Sequence, residues 1–179
     1  MHRFALLALV GTLGAATSCS PMVYTNGVPN LREVEPGLWR GGQPTDNGWL
    51  YLHARGVKTV VKLNFDTEGS DDGATALGLS VRRVPFPPSD LGDMLKGPTV
   101  AQMQRVQALL ADPSLRPLYI HCTHGQDRTG LAVGVYRVSQ GWPKSKAWRE
   151  MQADDYHELL LGLTDFWHDH VSLTKEKTP

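Results

Sequence analysis

The sequence predicts an α/β fold with a mostly parallel central sheet and helices packed on its faces. First, short β-branched or apolar runs alternate with amphipathic helical segments from residue 36 onward. Second, 41% hydrophobic and 20% charged residues are typical of a globular protein rather than a disordered one. Third, most of the 179 residues form one domain of ordinary size. Strands that alternate with helices pair in parallel, and the helices cover the sheet.

The individual elements follow from local signals. A β-branched run predicts a strand, whereas a Ser, Thr or Asp cap before apolar residues at helical spacing predicts a helix. In the first half these signals predict a strand over Leu38–Arg40, a helix from its cap Thr45 to about Arg55, a strand over Val57–Leu63, a short helix that starts within 66–73 and ends near Leu79, and a strand over Val81–Phe86.

A proline-rich loop separates the two halves. Pro85, Pro87 and Pro88 exclude regular structure, and the loop runs to Pro98. The second half is predicted to contain a helix capped by Thr99, a strand over Leu118–His121, an almost wholly apolar helix over 129–139, and helices over Lys144–Asp155 and Glu158–Leu173.

Residues 1–19 have the pattern of a bacterial export signal. His2 and Arg3 precede a short apolar run, and small residues follow up to Cys19. The run is shorter than the ~20 apolar residues that span a bilayer. Residues 16–19 resemble a lipoprotein processing site, in which Cys19 would be lipidated. The chain is therefore expected to be exported, as a periplasmic protein or a membrane-anchored lipoprotein; the alternative is a buried first helix with an incidental cysteine.

The rest of the chain is predicted to form a linker and one domain. Residues 20–35 contain Pro21, Gly27 and Pro29 and show no hydrophobic periodicity, so they are predicted to be a linker. Residues 36–179 are predicted to form a single domain.

Net charge and cysteine content exclude several classes of protein. Eighteen Lys and Arg balance eighteen Asp and Glu, so the formal net charge is zero and does not favour nucleic-acid binding. A small anion needs only a local positive pocket, which overall neutrality allows. Cys19 lies in the signal segment and Cys122 in a motif of its own, so a disulfide is not expected.

The segment HCTHGQDRTG, residues 121–130, joins a predicted strand to a predicted helix. The backbone N–H groups of such a tight loop point to a common centre, and the helix N-terminus adds positive potential there. Such a cradle binds a tetrahedral oxyanion such as phosphate, and we call residues 121–130 the phosphate loop. The candidate phosphate-binding residues are Thr123, His124, Gly125, Gln126, Asp127 and Arg128.

The same loop contains a nucleophile. Cys122 lies at the base of the cradle, where the dipoles that bind the anion also stabilise a thiolate. Arg128, at the other end, offers a planar fork that suits two phosphate oxygens. No metal or other cofactor is required. Zinc is the alternative, because His121, His124 and Asp127 crowd around the cysteine, but structural zinc sites have two separated ligand pairs and no second pair follows.

Cys122 and Arg128, with five residues between them, resemble the signature of the protein-tyrosine-phosphatase superfamily. The preceding His and the following Thr-Gly match its fuller form. The resemblance extends to PGLWRGGQP at 36–44 and GWPKSKAWREM at 141–151, and covers roughly residues 34–155. These segments are similar to small bacterial and atypical dual-specificity phosphatases. The resemblance implies a three-layer sandwich and the hydrolysis of phosphomonoesters.

The resemblance also implies roles for residues at matching positions. Cys122 would form a phosphocysteine intermediate, and Arg128 would hold the phosphate oxygens through the transition state. Thr129 would donate a hydrogen bond to the leaving thiolate. His121 would face away from the phosphate and order the loop.

The leaving oxygen needs a proton, which this superfamily supplies from an aspartate on a neighbouring loop. Asp90, in PFPPSD, is the first candidate, and Asp93 in the same loop is the second. Asp127 is a third candidate because it lies within the phosphate loop. Simpler alternatives are a solvated carboxylate for Asp90 or Asp93, and a carboxylate that orients Arg128 for Asp127.

Export and a phosphate cradle together favour an inositol polyphosphate as the substrate, as in the exported tyrosine-phosphatase-like phytases. Arg40, Lys62 and Arg82 are the candidate side chains for the non-reacting phosphates. His124 and Gln126 stand where lipid-phosphate phosphatases often carry Lys, which disfavours a lipid head group. A phosphotyrosyl protein is the alternative substrate, and phosphate binding without turnover, by a pseudophosphatase, is the non-enzymatic alternative. The sequence leaves the oligomeric state open.

Overall fold

The computed structural model describes residues 22–87 and 92–171. The strands are β1 (Tyr24–Thr25), β2 (Val28–Pro29), β3 (Arg32–Glu35), β4 (Leu38–Gly41), β5 (Thr59–Lys62), β6 (Ser80–Arg83) and β7 (Leu118–His121). The main sheet has the order β3-β4-β7-β5-β6, and β1 pairs with β2 in a separate hairpin. Within the main sheet β4, β7, β5 and β6 are parallel, whereas β3 runs antiparallel to β4.

Helices cover both faces of the main sheet. Those of the described residues are α1 (Asp46–Ala54), α2 (Asp72–Ala76), α3 (Val100–Ala111), α4 (Asp127–Ser139), α5 (Lys144–Ala153) and α6 (Leu161–His170), with 3₁₀ turns at Asp66–Glu68 and Pro113–Leu115. Val61 and Ile120 belong to the core that includes α3 to α6, whereas Val60 and Tyr119 belong to the core beneath α1 and α2. Because side chains alternate across a strand, the domain has three layers. The predicted sandwich is confirmed.

The parallel strands end at one edge of the sheet. Gly41 of β4 and Lys62 of β5 both pair with His121 of β7, and Lys62 also pairs with Arg83 of β6. The loops that follow these strands therefore meet at the edge where α/β proteins bind ligands. Since β7 lies between β4 and β5, the loop after His121 occupies the centre of that edge.

Two predicted helix caps are confirmed. Gly48 N–H donates a hydrogen bond to Thr45 Oγ1 at 3.3 Å, and Gln102 N–H donates to Thr99 Oγ1 at 3.2 Å. The Gln102 side chain also accepts from Thr99 N–H, which completes a capping box. These bonds satisfy N–H groups that the first turn of a helix leaves unpaired.

Two predicted boundaries are wrong. Residues 66–79 contain a 3₁₀ turn and the short helix α2 instead of one helix. Gly69, with φ of 150°, ends the 3₁₀ turn, because this backbone conformation is not helical. The last helix begins at Leu161, not at Glu158, because residues 156–160 form a turn in which Leu160 N–H donates a hydrogen bond to His157 O.

The prediction of a linker over residues 20–35 is wrong from Tyr24 onward. The β1–β2 hairpin turns at Asn26-Gly27, whose φ values are 49° and 80°, and β3 joins the main sheet. Val28 and Val34 are buried. These strands of two to four residues are too short to show an alternation, but Asn-Gly is a strong hairpin signal that predicts the turn.

Two sets of predicted features lie outside the described residues. The export signal with its lipidation site Cys19 falls within residues 1–21, and the candidate acid Asp90 falls within 88–91. Within the described ranges, no helix is long and apolar enough to cross a membrane.

Candidate active site

The loop between β7 and α4 turns back over Cys122. The Cys122 side chain is buried, and Gly125 N–H donates a hydrogen bond to its Sγ at 3.3 Å. Gly125 has φ of 80°, a conformation that residues with a side chain rarely adopt. A backbone donor therefore faces the atom on which a thiolate charge resides.

The end of β4 packs directly against this loop. A Cβ on Gly42 would lie 2.7 Å from Thr123 O, and one on Gly125 would lie 2.3 Å from the carbonyl carbon of Gly41. Gln43 N–H donates to Thr123 O at 2.9 Å. Glycines are thus required on both sides of the contact, and the two backbones support each other without intervening side chains.

Arg40 holds the loop from within the protein. Its guanidinium is buried, donating from Nη2 to Gly125 O at 2.8 Å and from Nη1 to Asp154 Oδ2 at 2.6 Å. The prediction that Arg40 contacts the substrate at the pocket mouth is wrong, because this side chain points inward from β4 and pairs with a buried carboxylate. Arg40 instead supports the backbone of the phosphate loop.

Arg128 forms a bidentate ion pair with Glu68, a carboxylate that the sequence motifs do not indicate. Nη1 and Nη2 of Arg128 donate to Glu68 Oε2 and Oε1 at 2.9 and 2.7 Å, and Nη2 also donates to Thr123 Oγ1 at 3.0 Å. The Nε–H of Arg128 is buried and has no hydrogen-bond acceptor among residues 22–87 and 92–171. The guanidinium is fixed on one side and retains a donor for a further acceptor.

Glu68 is ionised at neutral pH. Burial raises the pKa of Glu68, but hydrogen bonds from Arg128 and from Phe65 N–H, together with the Arg128 charge, lower it to about 2. Glu68 reciprocally raises the pKa of Arg128, although burial alone lowers it. Both members of the pair keep their charges. Only an acidic, Gly-rich run marks Glu68 in the sequence, and such a run does not indicate its partner.

A second group of ionisable side chains, Asp71 and Lys62, lies next to His121. The His121 Nε2 is 3.2 Å from Asp71 Oδ2, and its Nδ1 is 3.2 Å from Cys122 O. Lys62 is buried and contacts Asp71, Asp66 and the carbonyl oxygen of Gly69. The prediction that Lys62 binds substrate phosphates is therefore wrong, because its ammonium group is turned inward and shared by carboxylates. That His121 orders the loop stays a prediction.

Asp127 anchors a neighbouring turn. Its Oδ1 accepts hydrogen bonds from His157 N–H at 2.8 Å and is 3.0 Å from His157 Nδ1. Asp127 is buried, whereas the imidazole of His157 is exposed. The carboxylate thus connects the start of α4 to the turn before α6. These contacts favour a structural role over that of proton donor.

The other predicted site residues lie in different environments. Thr129 Oγ1 is buried without a hydrogen-bond partner among the described residues, and its hydrogen bond to the leaving thiolate stays a prediction. Asp93 forms an ion pair with Lys96. Arg82 is exposed on the edge strand β6 and stays a candidate for substrate contact, and His124 is exposed on the loop.

Metal ligands do not cluster in the described part of the chain. Within residues 22–87 and 92–171 no group of three or more His, Cys, Asp and Glu side chains is arranged to hold an ion. The carboxylates near the loop instead contact Arg128, Lys62, Arg40 and His157.

The family of DSP-PTPase phosphatases fused to NAD+ kinase matches residues 23–160. The chain belongs to this family. The matched region includes the β1–β2 hairpin and extends through α5 to the turn that contacts Asp127. It therefore contains Arg40, Glu68, Cys122 and Arg128.

Dual specificity protein phosphatase TpbA from Pseudomonas aeruginosa is a similar protein. In strain UCBPP-PA14 it is 32% identical over 150 residues, which cover 80% of this chain and 65% of TpbA. The chain thus spans about two thirds of this curated relative. The crystal structure of P. aeruginosa TpbA aligns with a TM-score of 0.64 and 25% identity, over 82% of this chain and 88% of that one.

Other similar proteins are named for inositol substrates. The catalytic core of the PP-IP phosphatase SIW14 from S. cerevisiae aligns with a TM-score of 0.67 over 78% of this chain and 84% of its own, at 19% identity, which shows the shared fold alone. Inositol diphosphatase DSP3 from Arabidopsis thaliana is 26% identical over 144 residues, or 69% of this chain and 61% of DSP3. The chain therefore has the fold of cysteine-type, protein-tyrosine-phosphatase-like enzymes.

Proposed function

We propose that the protein is a cysteine-dependent phosphomonoester hydrolase that acts through a phosphocysteine intermediate. The observation that carries the proposal is the arrangement of one loop. A backbone N–H points at Cys122 Sγ, while Arg128 at the other end has a buried Nε–H with no acceptor among the residues that the structure describes. A nucleophile and an oxyanion donor thus share one small site at the carboxyl edge of the sheet. This combination suits transfer of a phosphoryl group to sulfur.

In the first step the Cys122 thiolate attacks phosphorus, and the bond from phosphorus to the leaving oxygen breaks. Arg128 and the loop amides stabilise the charge on the equatorial oxygens. The leaving oxygen takes a proton from a carboxylic acid, for which Asp90 is our first candidate. Glu68 keeps the Arg128 fork in place through two hydrogen bonds and a charge.

In the second step a water molecule attacks the phosphocysteine. The same carboxylate accepts a proton from the water, the bond between sulfur and phosphorus breaks, and inorganic phosphate leaves. The regenerated Cys122 thiolate accepts a hydrogen bond from Gly125 N–H. Thr129, whose buried hydroxyl has no other described partner, is proposed to donate a second hydrogen bond at this stage. Neither step uses a metal or a cofactor.

The contacts of the other two aspartates support Asp90 as the acid. Asp127 is held by two hydrogen-bonding groups of His157, and Asp93 is paired with Lys96. A proton donor for the leaving group must instead reach the substrate oxygen. In the sequence Asp90 precedes Asp93 in the segment after β6, and β6 ends at the same edge of the sheet as the strand before the phosphate loop.

For the substrate we propose an inositol polyphosphate. The likeness to proteins named inositol diphosphatase and PP-IP phosphatase supports this class. Two of the three cations expected to hold non-reacting phosphates, Arg40 and Lys62, are buried in ion pairs. Among the described residues, the exposed side chains of Arg82, His124 and His157 are proposed for that task.

A phosphotyrosyl protein is the second candidate substrate. The relative with 32% identity is named a dual specificity protein phosphatase, and a structure of TpbA in complex with pTyr aligns with a TM-score of 0.56 at 28% identity. The burial of Arg40 and Lys62 also favours a substrate with one phosphate, because such a substrate needs fewer rim cations.

A substrate panel tests the proposed function. Phosphate release is measured from inositol hexakisphosphate, a phosphotyrosyl peptide, a phosphoinositide and an aryl phosphate at one pH and salt concentration, with and without a chelator. We expect the highest kcat/KM for inositol hexakisphosphate and no effect of the chelator. Preference for the phosphotyrosyl peptide would favour the second candidate. Phosphate binding without turnover of any substrate would indicate a pseudophosphatase, and loss of activity that zinc restores would indicate a metal enzyme.

We further propose that the protein is exported and lipidated at Cys19. The charged start, the short apolar run and the small residues before Cys19 support this location. Mass spectrometry of the protein from native membranes is expected to find Cys19 as a lipidated N-terminus. An intact Met1 would contradict export, and an unmodified N-terminus at another residue would contradict lipidation alone.

A further inference from the structure

Three ionisable side chains are buried together behind the nucleophile. Lys62 is 1% exposed, and Asp71 and His121 are 0% exposed. They come from β5, the segment before α2 and the last residue of β7, and only His121 belongs to the phosphate-loop motif. Buried charges are unfavourable unless they are paired and hydrogen-bonded, so the contacts within this cluster indicate which groups are charged.

Both ring nitrogens of His121 face hydrogen-bond acceptors. Nδ1 is 3.2 Å from the carbonyl oxygen of Cys122, and Nε2 is 3.2 Å from Asp71 Oδ2. A carbonyl and a carboxylate only accept, whereas a neutral imidazole carries a single N–H. Either neutral tautomer would therefore bring one nitrogen lone pair against an oxygen lone pair. Only the doubly protonated ring satisfies both contacts.

Asp71 is the ionised partner in this contact. Its Oδ1 accepts from Gln43 Nε2 at 3.0 Å and lies 3.5 Å from Lys62 Nζ, so donors surround both of its oxygens. Burial raises the pKa of Asp71, but the hydrogen bond and charge of His121, the Gln43 hydrogen bond and the Lys62 charge lower it overall. Because the Gln43 amide and the Lys62 ammonium already face Oδ1, the ionised carboxylate is the form that fits this site, and it has no proton to give to a neutral imidazole.

We propose that Asp71 is a positioning residue that keeps His121 as an imidazolium directly behind the Cys122 nucleophile. Burial alone disfavours a charged imidazole, so the charge depends on the Asp71 carboxylate. A cation beside a thiol favours the thiolate, which is the reactive form. The inference rests on the proposed role of Cys122, and it adds a carboxylate to the groups that maintain that role.

In the described part of the chain, Lys62 and Tyr119 are the other ionisable groups to consider near His121. Lys62 approaches from β5 and is shared between Asp71 and Asp66. Tyr119 of β7 stacks on the imidazole with ring centroids 5.5 Å apart. Burial, and the charges of Cys122 and Asp71, raise the pKa of Tyr119, so this phenol is neutral. Asp71 is consequently the described carboxylate in direct contact with the imidazole.

The first test measures the protonation of His121 in the full chain. Nitrogen NMR of histidine-labelled protein distinguishes an imidazolium from both neutral tautomers. We expect two protonated ring nitrogens on His121 at neutral pH in the wild type, and one in Asp71→Asn. The matched control is Asp72→Asn, which removes an exposed carboxylate from the adjacent position and leaves His121 unchanged. A neutral His121 in the wild type would overturn the proposal.

The second test measures thiolate reactivity without any phosphate substrate. The rate of Cys122 alkylation by iodoacetamide is recorded against pH. In Asp71→Asn we expect the rate at mildly acidic pH to fall about tenfold, with no change at alkaline pH where the thiol is fully ionised. An unchanged pH profile in a folded variant would contradict the proposal, whereas an equal loss at every pH would indicate misplacement of the loop.

The two measurements separate this inference from the proposed function. Neither requires turnover, so an imidazolium and an altered alkylation profile can be found even if no phosphomonoester is hydrolysed. If Asp71→Asn does not fold, the NMR measurement on the wild type still decides the protonation state. A hydrolase in which His121 is neutral would retain the proposed function and contradict the role of Asp71.

Discussion

Two regions of the site differ in how they are encoded. The phosphate loop, residues 121–130, is contiguous and contains the nucleophile, the arginine and the backbone donors. The acidic turn, residues 66–71, contains no group of the reaction itself, yet Glu68 binds Arg128 and Asp71 contacts His121. The first region carries out the proposed chemistry, and the second holds its side chains in position.

The difference shows that the proposed chemistry is local in the sequence and its support is not. Glu68 and Arg128 are 60 residues apart, and Asp71 and His121 are 50 apart. Both contacts arise because β5 and β7 are neighbouring parallel strands that end at one edge. A motif identifies the first region, whereas strand order determines the second.

The largest effect is expected from Cys122→Ser, which removes the nucleophile and keeps the cradle. We expect turnover to fall by at least ~10⁴-fold, because a hydroxyl at this position is not ionised and cannot replace a catalytic thiolate. Binding of inorganic phosphate is expected to remain. Steady-state phosphate release and isothermal titration measure the two properties. Activity near that of the wild type would show that the phosphate loop is not the reaction centre.

Asp90→Asn comes next in expected effect. Loss of a general acid is expected to lower turnover by about 10²–10⁴-fold. The loss should be smaller for aryl phosphates, since their leaving groups need less protonation. The measurement compares kcat for an alkyl and an aryl phosphate in Asp90→Asn, Asp93→Asn and Asp127→Asn. If this dependence appears in one of the other variants and is absent from Asp90→Asn, our assignment of the acid is wrong.

Glu68→Gln tests the acidic turn directly. Without the carboxylate, Arg128 loses a bidentate partner, and a small misplacement of the fork is expected to lower kcat/KM by about 10–10²-fold. Glu33→Gln, which removes an exposed carboxylate on β3, is the matched control. Equal activities of the two variants would show that the acidic turn does not position Arg128.

The smallest effect concerns stability at acid pH. The pKa of Glu68, about 2 in the folded protein, lies below its usual value of 4.5, so the folded state binds fewer protons than the unfolded state between these values. This stabilisation is present above the usual value and is lost as pH falls through the folded value. Chemical denaturation is expected to show a shallower acid decline in Glu68→Gln than in Glu33→Gln. Parallel declines would exclude a contribution from Glu68.

Much of the fold follows from local signals. Thr45 and Thr99 mark helix starts because a hydroxyl cap acts within three residues. The strand Leu118–His121 has the predicted bounds, since its residues are all buried and apolar or aromatic except the last. The β1–β2 hairpin was not predicted because its strands are too short to show a pattern, although Asn26-Gly27 marks its turn.

The environment of a charged side chain is less predictable. Arg40 and Lys62 are cations near the phosphate loop in the sequence pattern, yet both point inward and pair with Asp154 and Asp71. Which face a strand residue occupies depends on the register of the sheet, and a single cation in a run carries no sign of its partner. Ion pairs between side chains of distant segments could therefore be identified only from the structure.

The central claim is that phosphate passes through the sulfur of Cys122. Rapid acid quench during turnover of an aryl phosphate, followed by peptide mass spectrometry, tests it most directly. We expect a phosphate adduct on the peptide that contains Cys122, formed in a burst at least as fast as steady-state turnover and absent from Cys122→Ser. Release of phosphate without any adduct on Cys122, or an adduct on a different residue, would contradict the claim.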